Sequence, residues 1–233
     1  MTDLKILSGG AAQGFVERLA PAFKALSGME VSGEFGAVGA MAAKLRAGMP
    51  ADIVILSKAI VDELAGQGLV VKNTAADIGR VETAIAVRTG DASVSVGTAD
   101  DLRAALLAAD EIFTPDTKAA TAGIHFAKVL AELGIADQVT GRLRMFPNGM
   151  TAMRHLSESS ARHPVGCTQV TEILNTSGVT LVGPLPRGYD LATIYTAAVT
   201  SNASAAGAAR QLIGMLTDPQ HGALRQSIGF AAV

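Results

Sequence analysis

The chain reads as an α/β protein built on parallel sheets, and three observations predict that class. Strand and helix patterns alternate along the sequence, separated by short Gly/Pro/Asp breaks. The segment Glu34 to Ser57, EFGAVGAMAAKLRAGMPADIVILS, contains one complete repeat of this alternation. It runs from a strand end through a Gly-punctuated turn and a helix to a Gly-Met-Pro-Ala-Asp break and a further strand. That last strand, Ile53 to Leu56, is a continuous apolar run, as expected of a buried parallel strand.

The elements follow in order. Leu4–Leu7 is the first strand, and SGGAA leads from it into a helix with Phe15, Leu19, Phe23 and Leu26 on one face. Pro21 falls inside that helix and is expected to bend it. Val31–Phe35 is the second strand. Val38 to Arg46 is a helix packed through Met41 and Leu45. Ala59–Ala65 is a helix stopped by Gly66. Glu82–Arg88 alternates polar and apolar residues, as a strand does. Thr98 with Asp101 predicts a capped helix over Asp100–Leu107. Glu111–Thr114 is a strand, followed by a Thr/Lys/Gly loop and a helix through Leu133. Arg142–Phe146, Val165–Thr168 and Thr193–Val199 are strands. Ala203–Leu216 and His221–Ile228 are closing helices, the first opened by the alanine-rich Asn202–Ala209.

Composition narrows the function classes. The chain has 233 residues, which suits one or two lobes, and 49% hydrophobic against 17% charged residues gives ample core. A net charge of −2 leaves no basic footprint for nucleic acid. Aromatic residues are 4% and Trp is absent, which disfavours stacking platforms for sugars or single strands. The apolar runs fall short of the roughly 20 residues a membrane span needs, so no membrane insertion is expected. The start, MTDLKILSGG, has no secretory leader, predicting a cytoplasmic protein as written and a periplasmic one if a leader has been removed. One cysteine, Cys167, allows no internal disulfide. The histidines have no metal-ligand spacing, and neither a Ser-His-Asp order nor a phosphate-cradling Gly-Lys-Ser/Thr motif is present. No metal and no cofactor is expected.

Leu4–Phe23, the AGMPAD break before Ile53, Pro164–Leu174 (PVGCTQVTEIL), Val182–Pro186 (VGPLP) and the Leu212–Phe230 ending together resemble the molybdate-type solute receptors of the type II periplasmic-binding-protein superfamily. The SGG turn, the TQVTEIL string and the GPLP segment look closer to a branch that includes aconitate isomerases. The resemblance covers nearly the whole chain. It implies two lobes joined by two crossings, residues 1–82 with 194–233 forming one and 83–193 the other. It implies closure of the lobes around a small anion, with an ABC transporter permease as a possible partner.

In open parallel sheets, ligands gather beyond the carboxyl ends of strands, near helix starts. The residues there are Ser8, Gly9 and Gly10; Val38 and Gly39; Ser57 and Lys58; Lys118 and Thr121; Asn148, Gly149 and Met150; and Thr168 and Gln169. In the family that the chain resembles, hydroxyls hold the oxyanion. Here Ala11 stands opposite one family serine, Ala37, Val38 and Gly39 fill the loop of the other, and Gln169 stands opposite a tyrosine. Those departures, with Lys58 and Lys118, point away from molybdate and toward a carboxylate. Surface solvation is the plain alternative for both lysines. Thr168 or Thr171 is an alternative cap of the helix that follows, and Glu172 is expected to pair with that helix start. Tyr195 suits hinge or core equally, and Cys167 reads as a small buried residue.

Two functions from different classes fit. One is a solute-binding protein for a small anion, which needs no catalytic constellation. The other is an isomerase that shifts a C=C bond in a small tricarboxylate, with Lys118, His125 or Glu172 as candidate base. His125 also suits a structural role on its helix. A ligand-sensing domain is disfavoured because no signalling module is attached.

Overall fold

The computed structural model describes residues 3–233; Met1 and Thr2, where the first expected lobe begins, lie outside the described residues. The chain divides into two compact units, Met1–Val81 with Thr193–Val233, and Glu82–Ala192.

The first unit opens with β1 (Leu4–Gly9), α1 (Gln13–Ser27), β2 (Val31–Gly36), α2 (Val38–Arg46), β3 (Ile53–Ser57) and α3 (Lys58–Gly66). Strand β4 (Ala76–Arg88) carries the chain into the second unit. There follow α4 (Ala99–Ala108), β5 (Glu111–Pro115), α5 (Thr121–Glu132), α6 (Ala136–Val139), β6 (Leu143–Phe146), α7 (Gly149–Glu158), β7 (Pro164–Gln169), α8 (Val170–Leu174) and β8 (Val179–Pro184). Strand β9 (Ala192–Val199) leads back, and α9 (Ala206–Thr217) and α10 (Gly222–Ser227) finish the first unit.

In the first unit the strand order is β2-β1-β3-β9, with β1 parallel to β2 and β3, and β9 antiparallel to β3. Gly9 lies opposite Gly36, and Ser8 opposite Ile55, so the carboxyl ends of β1, β2 and β3 emerge at one edge. The core is apolar on both sides of this sheet, with Ile6, Ile53 and Ile55 on one face and Leu7, Val54 and Leu56 on the other, each at most 2% exposed. Phe230, near the chain end, packs against Phe15 at 6.0 Å and edge-on against Tyr195 at 6.3 Å, which gives Tyr195 a core role.

In the second unit the order is β8-β4-β7-β5-β6. Strands β6, β5 and β7 are parallel, while β4 is antiparallel to β7 and β8. Two apolar layers cover this sheet. Ile85, Val87, Ile112, Val165 and Cys167 pack with Phe126, Val129 and Leu130 of α5. Ala84, Ala86 and Phe113 pack on the other side with Met153 and Leu156 of α7. At the start of α4, the Thr98 hydroxyl accepts the Asp101 N–H at 3.1 Å, the predicted cap.

Three expectations need correction. Leu26 is 63% exposed, because the apolar stripe of α1 ends at Phe23 and Leu26 falls in the last turn before Gly28. Strand β4 begins at Ala76, where Arg80 exchanges backbone hydrogen bonds with Ala231, a pairing that no local pattern announces. The first closing helix starts at Ala206 rather than Ala203, because Ser204 and Ala205 are held by Asp52.

Asp52 is 1% exposed, directly before β3. Its carboxylate accepts the Lys5 N–H at 2.8 Å, the Ala205 N–H at 2.8 Å and the Ser204 hydroxyl at 3.0 Å. Burial alone would push its pKa up, but these hydrogen bonds together hold it below the ordinary carboxylate value. The interaction joins the first strand, through Asp52, to a segment 153 residues beyond Asp52. Replacing Asp52 with Ala leaves buried N–H groups without an acceptor and is expected to cost about 2–4 kcal/mol near neutral pH. Because the folded-state pKa is depressed, this contribution is complete above the unfolded value and fades as pH falls through the folded one. Urea denaturation of both proteins from pH 7 to pH 3 is expected to show the gap closing on acidification; a constant gap would contradict the assignment.

Candidate functional site

At the strand-end edge of the first unit, Ser8 is fully buried and its hydroxyl donates to the Gly9 carbonyl at 3.0 Å. Gly9 and Gly10 are buried and open a short 3-10 turn ahead of α1. Val38 and Gly39 are the first residues of α2, which follows an extended Ala37 and has no side-chain cap. Ser57 precedes α3 and likewise makes no side-chain cap. Helix starts of this kind carry N–H groups directed outward and favour negative charge. Lys58 has a partner that the sequence does not announce. Its ammonium donates to both carboxylate oxygens of Asp77 at 3.1 Å, and Asp77 also accepts the Thr196 hydroxyl at 2.6 Å. The cation at this loop therefore has an internal counter-charge.

The second unit brings β5, β6 and β7 to a common edge, and three sequence-predicted loops with them. Lys118 is exposed in the turn after β5, and its backbone N–H, with that of Ala119, donates to Asp116 at 2.6 and 3.0 Å. Thr121 is the first residue of α5, which has no side-chain cap. A side chain on Gly123 would bring its Cβ to 2.3 Å from the Asp116 carbonyl oxygen, so glycine allows α5 to start hard against the end of β5. His125 is half-buried, and its Nε2 lies 2.7 Å from the Tyr189 carbonyl, so that nitrogen carries the proton. This contact fits a structural role on its helix and engages one of the two ring nitrogens.

Gln169 ends β7 and is 2% exposed, yet neither amide atom has a hydrogen-bond partner among the described residues. Thr83 and Thr114, both fully buried, have hydroxyls in the same condition. These three residues share a face. Thr83 lies opposite Gln169 in register, and side chains alternate along each strand. Thr83 therefore projects with Ile85, Gln169 with Cys167, and Thr114 with Ile112, toward the layer that α5 covers. A buried polar group without a partner costs about 1–3 kcal/mol, which native proteins retain where something else uses it. Gln169 is visible in sequence as a polar residue straight after an apolar strand. Thr83 and Thr114 were missed because a threonine inside a strand pattern looks like ordinary β propensity.

Asn148, Gly149 and Met150 belong to a different arrangement. Asn148 caps α7 by accepting the Thr151 N–H at 2.8 Å. The backbone N–H groups of Gly149 and Met150 act on the Glu172 carboxyl, as does that of Gln169. The Thr168 hydroxyl donates to Glu172 Oε2 at 2.5 Å. Glu172 is 5% exposed; burial pushes its pKa up, and these four donors oppose the shift. The expected pairing of Glu172 with the start of α8 is present through the Gln169 N–H, and the contact with α7 comes in addition. Burial also pushes the Cys167 thiol far up, which leaves it an inert core residue.

Among the described residues, no cluster of His, Cys, Asp and Glu has metal-binding geometry, and no helix is long and apolar enough to cross a membrane. What the strand ends offer is a set of backbone donors, one amide and hydroxyls, with Lys118 close by in sequence. Such a set binds an anion or a hydrogen-bonding organic acid.

Comparison with known proteins agrees with the fold. A family model described as bacterial extracellular solute-binding protein matches residues 4–231. An aconitate isomerase from Pseudomonas is 25% identical over 225 residues, covering 93% of this chain and 82% of that protein. Among solved structures, the periplasmic molybdate-binding protein of Azotobacter vinelandii superposes with a TM-score of 0.81 at 18% identity, over 99% of this chain and 100% of that one. The sulfate-binding protein SubI of Mycobacterium tuberculosis superposes with a TM-score of 0.77 at 20% identity, over 100% and 88%.

Replacing Gln169 with Leu removes a buried amide without partners while keeping a similar volume. The ligand-free variant is expected to be more stable by about 1–3 kcal/mol. Scanning calorimetry reads this as a higher Tm, and a lower Tm would show that the amide is satisfied within the fold.

Proposed function

The chain belongs to the bacterial extracellular solute-binding protein family, and from that premise we propose that it binds a small organic anion carrying carboxylates, rather than molybdate. The observation that carries this reading is the Gln169 amide, buried to 2% exposure with donor and acceptor both unpartnered. An amide together with Thr83 and Thr114 hydroxyls and an uncapped α5 start suits a planar carboxylate. Hydroxyls for a tetrahedral metal oxyanion are missing where Ala11, Ala37 and Val38 line the first unit's loops. The exposed ammonium of Lys118 adds a favourable charge beside the α5 start. A transporter permease is the natural partner of such a binder, and the molybdenum-transporter substrate-binding domain of Clostridium difficile shares its fold at a TM-score of 0.69.

A second reading, an isomerase moving a double bond within a tricarboxylate, is favoured by the Pseudomonas relative at 25% identity. It requires a base that takes a proton from one carbon and a donor that returns one to another. Lys118, His125 and Glu172 are its candidate bases: Lys118 is exposed, His125 keeps the ring nitrogen that Tyr189 does not engage, and Glu172 is buried against the Thr168 hydroxyl.

Thermal-shift titration separates these classes, since a ligand that binds only the native state raises Tm. Citrate, tricarballylate or an aconitate isomer is expected to give a saturable shift that is lost in Gln169→Leu and weakened in Lys118→Ala. A saturable shift with micromolar molybdate would overturn the carboxylate reading. Incubation with trans-aconitate, followed by NMR, decides the second: appearance of the cis isomer establishes it, and binding without turnover removes it.

A further inference from the structure

We propose that the second unit carries another binding site, at the end of its sheet away from Gln169, and that this site takes a monocarboxylate with an aliphatic body. It is independent of the residues that carry the reading above.

The site is a cavity of about 410 Å³, a size usual for small-molecule pockets. Three segments enclose it: the turn that leaves β4, the last turns of α4 and the bend that enters β7. The buried part of its lining is Val87, Ala109 and Val165, each at most 4% exposed. Ala105, Ala108 and Ala109 lie on one face of α4, and their short side chains leave the space open. Val87 and Val165 are opposite each other in the β4–β7 ladder, four residues from the Thr83–Gln169 pair. Roughly 13 Å of strand therefore separates this cavity from the Gln169 amide.

The enclosing segments are tied to one another within the fold. Arg88 donates to Asp91 Oδ1 at 2.9 Å and to the Ser159 carbonyl, which joins the exit of β4 to the loop ahead of β7. Asp110 holds His163 twice. Its backbone N–H donates to the His163 carbonyl at 3.1 Å, and its carboxylate accepts the His163 N–H at 3.0 Å. Walls fixed in this way lower the ordering cost of binding.

The polar lining decides the ligand class. Arg162 and His163 are consecutive and exposed, where the cavity meets solvent. Asp91, the acidic residue of the lining, is paired with the Arg88 guanidinium, and its Oδ2 is enclosed away from solvent. The charge open to a ligand is therefore that of Arg162, beside an imidazole. A guanidinium at the mouth of an apolar recess suits a carboxylate whose hydrocarbon chain fills the recess. A polycarboxylate would bring charge onto valines and alanines and is disfavoured.

Octanoate is the probe. Calorimetric titration of wild type is expected to show one saturable site, and affinity is expected to rise about tenfold from butanoate to hexanoate, since each buried methylene is worth roughly fourfold. Octanoate is expected to shift the amide resonances of Gly90, Asp91, Val94 and Val165. Arg162→Ala is expected to weaken octanoate about fivefold and to leave octan-1-ol unchanged. Ala108→Phe, at an exposed position from which a ring fills the cavity, is expected to abolish octanoate binding. Circular dichroism checks that both variants fold, and if either does not, the amide shifts in wild type decide. Gln169→Leu is expected to keep octanoate binding while losing citrate, so failure of this site and failure of the other give different results. No saturable octanoate binding, octan-1-ol bound as tightly as octanoate, shifts centred on Gln169 instead of Val165, or octanoate affinity unchanged in a folded Ala108→Phe or Arg162→Ala protein would overturn the proposal.

Discussion

Each unit is organised around a buried carboxylate whose partners are N–H and O–H groups. Asp52 in the first unit and Glu172 in the second both lie in surroundings that exclude water, where an uncompensated charge would be prohibitive. For Asp52 charge-assisted hydrogen bonds hold the ionised form when every donor is in position, whereas for Glu172 burial outweighs the donors and pushes the pKa up. For Asp52 the donors are Lys5, Ser204 and Ala205, so the carboxylate is satisfied only after the two ends of the chain have met. A discontinuous unit needs such an interaction. Apolar burial alone is non-directional, and it would let the returning segment settle against β3 in several ways. Fixed donor geometry selects one of them.

The parallel strands explain why the polar chemistry collects where it does. Strands β1, β2 and β3 end at one edge of the first unit, and β5, β6 and β7 at one edge of the second, each followed by a helix start or a turn. This arrangement yields outward-facing N–H groups without any particular side chain. Side chains then determine which of them remain available. Helix α7 is closed by Glu172, whereas α5 keeps its start uncapped beside Gln169 and Thr114. Lys58 at the first edge is paired with Asp77, which also accepts the Thr196 hydroxyl. Within one backbone plan, acidic residues thus remove donors from use as effectively as hydroxyls add them.

Most elements of the fold were legible in the sequence because their causes are local. The limits of α2, Val38 to Arg46, follow from its apolar spacing and flanking breaks, and Ile53–Leu56 announces β3 by composition. What escaped has partners distant in the chain. Strand β4 starts six residues before its alternating pattern does, where Gly79 packs against Phe230 and Ala231. The Asp52 contacts delay α9. At the site, Gln169 stood out because a polar residue ending an apolar strand is locally odd. Lys58 and Glu172 have partners that local pattern does not name, Asp77 in one case and Gly149 and Met150 in the other, because these lie 19 to 23 residues away. Residue type and spacing state what a side chain is able to do, and only packing states with whom.

The same reasoning explains how a fold shared with molybdate- and sulfate-binding proteins at 18% and 20% identity can differ in chemistry. The backbone plan is maintained by strand register and by apolar layers such as Ile85, Ile112, Val165 and Phe126. Changes at strand ends leave those layers intact. A carboxylate placed at residue 172 is nevertheless consequential, because it needs Gly149 to stay without a side chain and Thr168 to keep its hydroxyl. Gly149, Thr168 and Glu172 therefore form one coupled group, and substitution at any of them alters what the other two are able to do. Gln169 has no such tie through its side chain.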